Sequence, residues 1–153
     1  MTPRETLDFY GRLSGLDEAG LSGRVSKTLA DTGLTPHADR RMGDFSKGMV
    51  QRVGLAQAVL HRPKLILLDE PVSGLDPIAI ADFRSLFTRL NQEGATMLLS
   101  SHSISEVERL CHRAGILVDG RIVRVVDQTE WAGEPGRLET LFVDTVRGKG
   151  AAA

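Results

Sequence analysis

The sequence predicts an α/β fold, with an N-terminal helical segment and then a mostly parallel, doubly wound sheet that has an antiparallel edge. Three observations predict it. Apolar residues recur at helical spacing through the first third of the chain. The period then breaks at Leu65-Ile66-Leu67-Leu68, a continuous apolar run of strand length that suits a strand buried on both faces of a parallel sheet. Beyond that run, strand-like and helix-like stretches alternate, as parallel sheets with crossover helices require.

In chain order, Thr2-Pro3-Arg4-Glu5 combines a capping-box spacing with proline at the first helical position, and Leu7, Tyr10 and Leu13 follow on one face. A second helix is expected over Leu21–Thr32, with Val25 and Leu29 inward and Gly33 as its stop. The polar stretch from Leu34 to Asp44 reads as loop. A third helix should start near Ser46 and run to His61, because Pro63 disfavours helical geometry at Arg62. After the Leu65–Leu68 strand, Asp76-Pro77 opens a helix carrying Phe83, Leu86, Phe87 and Leu90, which Gly94 closes. Ala95–Ser100 reads as the next strand. Ser103 and Glu106 have capping-box spacing at the head of a helix to about Cys111. Ala114–Val118 and Arg121–Val126 flank Asp119-Gly120, a two-residue hairpin signal. Leu138, Leu141 and Phe142 mark a short last helix, and Trp131 reads as a packing residue ahead of it. The domain boundaries expected are 1–62 for a helical subdomain, 63–147 for the sheet-bearing part, and 148–153 for a disordered Gly/Ala tail.

Composition narrows the function classes. Hydrophobic residues make up 41% and charged residues 25%, which suits a packed domain rather than a disordered chain. A net charge of −1 and scattered Lys and Arg give no basic field, so no nucleic-acid partner is expected. No apolar run approaches the roughly 20 residues of a membrane-spanning helix, and Met1–Glu5 has no signal-peptide core. The single cysteine, Cys111, excludes an internal disulfide and suits a reducing compartment. A cytoplasmic location is expected.

The chemistry concentrates at strand ends. Leu65 to Pro71 delivers two adjacent carboxylates, Asp69 and Glu70, to the carboxyl end of a strand, where doubly wound sheets keep their sites. One carboxylate there can serve a hydrated Mg²⁺ and the next can polarise an attacking water. Taken alone, the run reads first as a buried strand followed by an acidic turn. Ser73-Gly74-Leu75-Asp76 follows, which alone is a turn and a helix cap. His102 sits after the next strand between Ser101 and Ser103, and alone could be a loop residue. Phe45-Ser46-Lys47-Gly48-Met49 opens the third helix, where small residues leave backbone N–H groups open to an anion.

In this order and spacing the four segments resemble the signature motif, Walker B strand, D-loop and H-loop of the ATP-binding cassette (ABC) ATPases, a P-loop NTPase fold. The resemblance runs from Thr2 to about Arg147. Ser46-Lys47-Gly48-Met49 with Gln51-Arg52, and Ser100-Ser101-His102 with Glu106-Val107-Glu108, are most similar to drug-exporter ATPases. The usual signature has glycine where Lys47 stands and glutamine where Met49 stands. The resemblance implies ATP and Mg²⁺ as cofactors, with Asp69 serving the metal through water and Glu70 as the catalytic carboxylate. It implies that His102 contacts the γ-phosphate and the attacking water. Ser46, Lys47, Gly48 and Met49 would meet ATP held by an opposite subunit, and Ser73, Gly74, Leu75 and Asp76 would form the D-loop that couples the two sites. Its implied partners are a second ATPase subunit in a head-to-tail dimer and a transmembrane permease, with the chain peripheral on the inner face of the membrane.

The family's phosphate loop, G-x-x-x-x-G-K followed by Ser or Thr, occurs nowhere in the 153 residues, so the sheet is expected to be incomplete. The Met1–Leu7 stretch resembles the start of the helical subdomain, which sets the expected beginning about midway through a complete domain. The expected function is an exporter ATPase subunit present without its phosphate loop, and the 153 residues alone are expected to be inactive. Two other readings stay open: an inactive half-site partner of a complete subunit, and a non-transport ABC protein.

Overall fold

The computed structural model describes the backbone of residues 1–150 and the side chains of residues 1–148. The chain divides into two compact units, one from Met1 to Ser100 and the other from Ser101 onward.

The first unit begins with α1 (Pro3–Leu13), α2 (Glu18–Asp31) and α3 (Lys47–Val59). The capping box of α1 forms: Thr2 Oγ1 accepts from Glu5 N at 3.2 Å, and Glu5 Oε2 accepts from Thr2 N at 2.9 Å. Its inward stripe is Pro3, Thr6, Leu7 and Gly11, while Leu13 stands 70% exposed. The expected Leu7–Tyr10–Leu13 face is therefore rotated, because Gly11 is where α1 meets α2. Helix α2 starts three residues earlier than expected, since Asp17 caps it, and Gly33 ends it at φ +69°. The stretch read as loop holds two 3₁₀ turns, Thr35–His37 and Met42–Asp44, and buries Leu34 and Ala38. These join Leu7, Leu21, Val25, Leu29, Val53, Ala56 and Leu60 in one apolar core. Helix α3 stops at Val59, and Arg62, ahead of Pro63, takes a left-handed φ of +52°.

Strand β1 (Leu65–Asp69), helix α4 (Pro77–Gln92) and strand β2 (Thr96–Ser100) then form a crossover unit. The strands pair in parallel with ends aligned, Leu65 opposite Thr96 and Asp69 opposite Ser100. Asp76 Oδ1 accepts from Ile78 N and Ala79 N at the head of α4. Ile66 is buried, but Leu65, Leu67 and Leu98 are 56%, 67% and 66% exposed. That corrects the expectation of a strand covered on both faces: among the described residues β1 has one strand neighbour, β2, and one covered face.

The second unit holds α5 (Ile104–Leu110), β3 (Arg113–Val118), β4 (Arg121–Asp127) and α6 (Arg137–Gly150). Asp119 and Gly120 both adopt positive φ, +49° and +74°, the two-residue turn their sequence signals. The β3–β4 pair forms its own two-stranded antiparallel sheet rather than the edge of a larger one. Val126, Trp131, Leu138 and Leu141 make its core. The Ser103 hydroxyl makes no cap bond at α5, contrary to the expected capping box; it lies 3.4 Å from Ser105 Oγ instead. Glu106 is buried and pairs with Arg109. Helix α6 is longer than expected and takes in Gly148 to Gly150, where a tail was expected; the rest of that tail, 151–153, lies outside the described residues. Burial pushes the Cys111 thiol pKa up, which keeps it in the poorly nucleophilic thiol form.

Candidate functional site

The aligned ends of β1 and β2 build the first part of the site. Asp69 closes β1 with its carboxylate exposed, and Ser100 stands opposite it in register. The Ser100 hydroxyl donates to Asp69 Oδ1 and accepts from Glu70 N at 3.2 Å. Glu70 N also donates to the Ser100 carbonyl oxygen at 3.2 Å. One serine thus fixes both acidic residues. Glu70 adopts φ +45°, a left-handed conformation that a non-glycine residue holds only where its surroundings impose it. The bonds from Ser100 are those surroundings, and Ser73 N donates onward to the Glu70 carbonyl at 3.1 Å.

Asp69 and Glu70 therefore project two oxygen donors from a sheet edge. Among the described residues no group of three or more His, Cys, Asp and Glu side chains is placed to hold a metal ion. Two carboxylates without a cage match the needs of Mg²⁺, which keeps much of its water and takes further oxygens from a phosphate. The donor set fits that ion.

The head of α3 is the second part. Ser46 caps it, its Oγ accepting from Met49 N at 3.3 Å. Ser46 and Lys47 are exposed, and Gly48 and Met49 half-buried. The turn at Ser73–Asp76 packs against this helix. A Cβ added at Gly74 would lie 3.1 Å from Lys47 Nζ, and one at Gly48 would lie 3.0 Å from Leu75 Cδ2. Gly74 takes a φ of +72°, the left-handed conformation that calls for glycine there. Gln51 Nε2 donates to the Ser73 carbonyl at 3.3 Å. The two expected site segments thus meet within one chain.

His102 belongs to the second unit. It is exposed, and the turn around it is set by Ser103 N donating to Ser101 Oγ at 3.0 Å. The structure brings Asp69, Glu70 and Ser73–Asp76 together with Ser46–Met49 in the first unit, and places His102 at the start of the second. Two residues without an assigned role from sequence, Ser100 and Gln51, prove to organise the site. The equal lengths of β1 and β2 were the available signal for Ser100. None existed for Gln51, whose partner is 22 residues away.

Residues 2–73 match the family model described as ABC transporter. The bacitracin transport ATP-binding protein of Enterococcus faecalis is 40% identical over 136 residues, covering 82% of this chain and 44% of that protein. The linearmycin resistance ATP-binding protein of Bacillus subtilis is 33% identical over 148 residues, covering 97% of this chain and 47% of that protein. A solved structure titled as the ATP binding subunit of an ABC transporter is 32% identical with a TM-score of 0.81, covering 95% of this chain and 62% of that one. The chain spans about half the length of the curated relatives it matches.

Proposed function

The chain belongs to the ATP-binding family of ABC transporters, and from that premise we propose that it serves an exporter, coupling ATP hydrolysis to transport. The exporter assignment leans on relatives named for bacitracin transport and linearmycin resistance. The observation that carries the ATPase reading is the Asp69–Glu70 pair, held at the end of β1 by Ser100 with Glu70 at φ +45°.

In this reading Asp69 holds Mg²⁺ through water. The ion neutralises charge on the phosphate oxygens. Glu70 accepts a proton from, or orients, the attacking water, and its constrained backbone holds the carboxylate ready without reorganisation. His102 contacts the γ-phosphate. Ser46 and Gly48, with Lys47 and Met49 beside them, present the positive end of α3 to ATP bound by an opposite subunit. Ser73–Asp76 couples the two sites. The division into 1–62 and 63–147 then has a functional sense, the first part offering the signature helix and the second the carboxylates. The partners are a second ATPase subunit and a permease, and the place of work is the inner membrane face. No helix among the described residues is long and apolar enough to cross a membrane.

The phosphate-loop motif that cradles the β- and γ-phosphates is not among these 153 residues. The 153-residue polypeptide by itself is therefore expected to turn over no ATP. Mixed with a complete ABC ATPase subunit and Mg-ATP, it should change that subunit's turnover, and Ser46→Arg should abolish the change by blocking the head of α3. Sustained turnover by the purified chain alone would overturn the first expectation. A complete subunit indifferent to the chain would overturn the second.

A further inference from the structure

On α3, Lys47 and Gln51, and likewise Gly48 and Arg52, are four positions apart and so neighbours on the helix surface. All four meet the stretch that follows β1. Lys47 lies over Gly74, and Gly48 approaches Leu75 so closely that a Cβ would stand 3.0 Å from its Cδ2. Gln51 Nε2 reaches the Ser73 carbonyl at 3.3 Å, and the other end of that amide, Oε1, is buried with no hydrogen-bond partner. Among the described residues, the bond to Ser73 is the hydrogen bond that orients the Gln51 side chain.

Arg52 extends these contacts to α4. Its Nη2 pairs with Asp82 Oδ2 at 2.9 Å, and its guanidinium lies 5.6 Å from the centre of the Phe83 ring. Its Nη1 donates to the Thr32 carbonyl at the end of α2, at 3.1 Å. A Cβ at Gly33 would fall 2.8 Å from that nitrogen, so the chain keeps glycine beside it. With its side chain 17% exposed, Arg52 uses its planar fork on two acceptors and a ring at once, which lysine cannot do. A second ion pair, Arg89 of α4 with Asp31 of α2 at 3.2 Å, ties α4 to α2.

We infer that Gln51 and Arg52 are positioning residues that bind α3 and the Ser73–Phe83 stretch into one mechanical unit, so that a ligand met at the Ser46 end of α3 is felt at the Ser73–Asp76 turn of the same chain. The nucleotide as that ligand rests on the function proposed above. The mechanical coupling does not.

Amide hydrogen exchange on the full chain tests it in two arms. Without nucleotide, Gln51→Met should speed exchange at residues 73–76 by about fivefold, the low end of ordinary coupling, with the exchange of α1 unchanged. Arg52→Glu should do the same. Unchanged exchange at 73–76 in either variant overturns the inference even if thermal stability falls. In the second arm, a complete ABC ATPase subunit and Mg-ATP are added. Wild type should gain protection at both 46–49 and 73–76, and Gln51→Met or Arg52→Lys should keep the first gain and lose the second. Protection at 46–49 alone in wild type sinks the coupling. Protection at neither sinks the ATP reading, and the nucleotide-free arm then decides the coupling by itself.

Discussion

Gly11 shows how much a single residue can decide. It sits on the buried face of α1, where an added Cβ would fall 2.3 Å from Cδ1 of Leu21, itself buried in the core. Two effects oppose each other in Gly11→Ala. Helix propensity favours alanine by about 1 kcal/mol, while forcing a methyl into a packed interface costs about 1–3 kcal/mol. Packing wins, because Leu21 is held by the core on every other side. The variant should be less stable by about 1–2 kcal/mol, read as a fall in Tm of a few degrees. A Tm that rises would show that Leu21 repacks freely. Glu70 is a residue of the other kind, since its left-handed φ is paid for by the two acceptors of Ser100.

At the scale of elements, helix ends separate local signals from tertiary ones. Thr2, Asp17, Ser46 and Asp76 cap their own helices with donor and acceptor within three residues, and the caps at Thr2, Ser46 and Asp76 were legible for that reason, while Asp17 was passed over because the apolar period first shows at Leu21. Helix α6 has no such signal, since Gly136 ahead of it has no side chain to offer. Its cap comes from α5: the Glu108 carboxylate accepts from Gly136 N at 3.2 Å and Leu138 N at 3.3 Å, across 28 and 30 residues. Trp131 Nε1 donates to the Glu108 carbonyl at 3.2 Å, tying the same point a second time. Glu108→Ala should therefore cost about 1–2 kcal/mol, as losses of helix caps do. Thermal unfolding measures it, and Glu108→Gln, which keeps the acceptor, should recover about half. A Glu108→Ala chain as stable as wild type would show that solvent replaces the cap.

For the whole molecule the consequential feature is the uncovered face of the parallel pair. Leu65 and Leu67 on β1 and Leu98 on β2, opposite Leu67, are all more than half exposed. Contiguous apolar surface on a sheet favours association. Leu67→Lys should lower self-association, measured by light scattering or sedimentation at rising concentration. It should change stability by no more than about 0.5 kcal/mol, as surface substitutions do. Unchanged association would mean that the face is not what drives it.

The sequence by itself determined the element order, the strand and hairpin positions, three of the helix stops and the residues that resemble a nucleotide site. Those rest on interactions within a few residues: periodicity, caps, proline before a turn and Asp-Gly at a hairpin. Only the tertiary structure decided which way α1 faces, which side of β1 is covered and that the two sheets are separate. It alone joined Ser100 to Asp69 and Glu70, Gln51 to Ser73, and Arg52 to Asp82. Each of those bonds links residues 22 to 31 positions apart. Contacts of that span depend on how elements pack, and no local pattern encodes them.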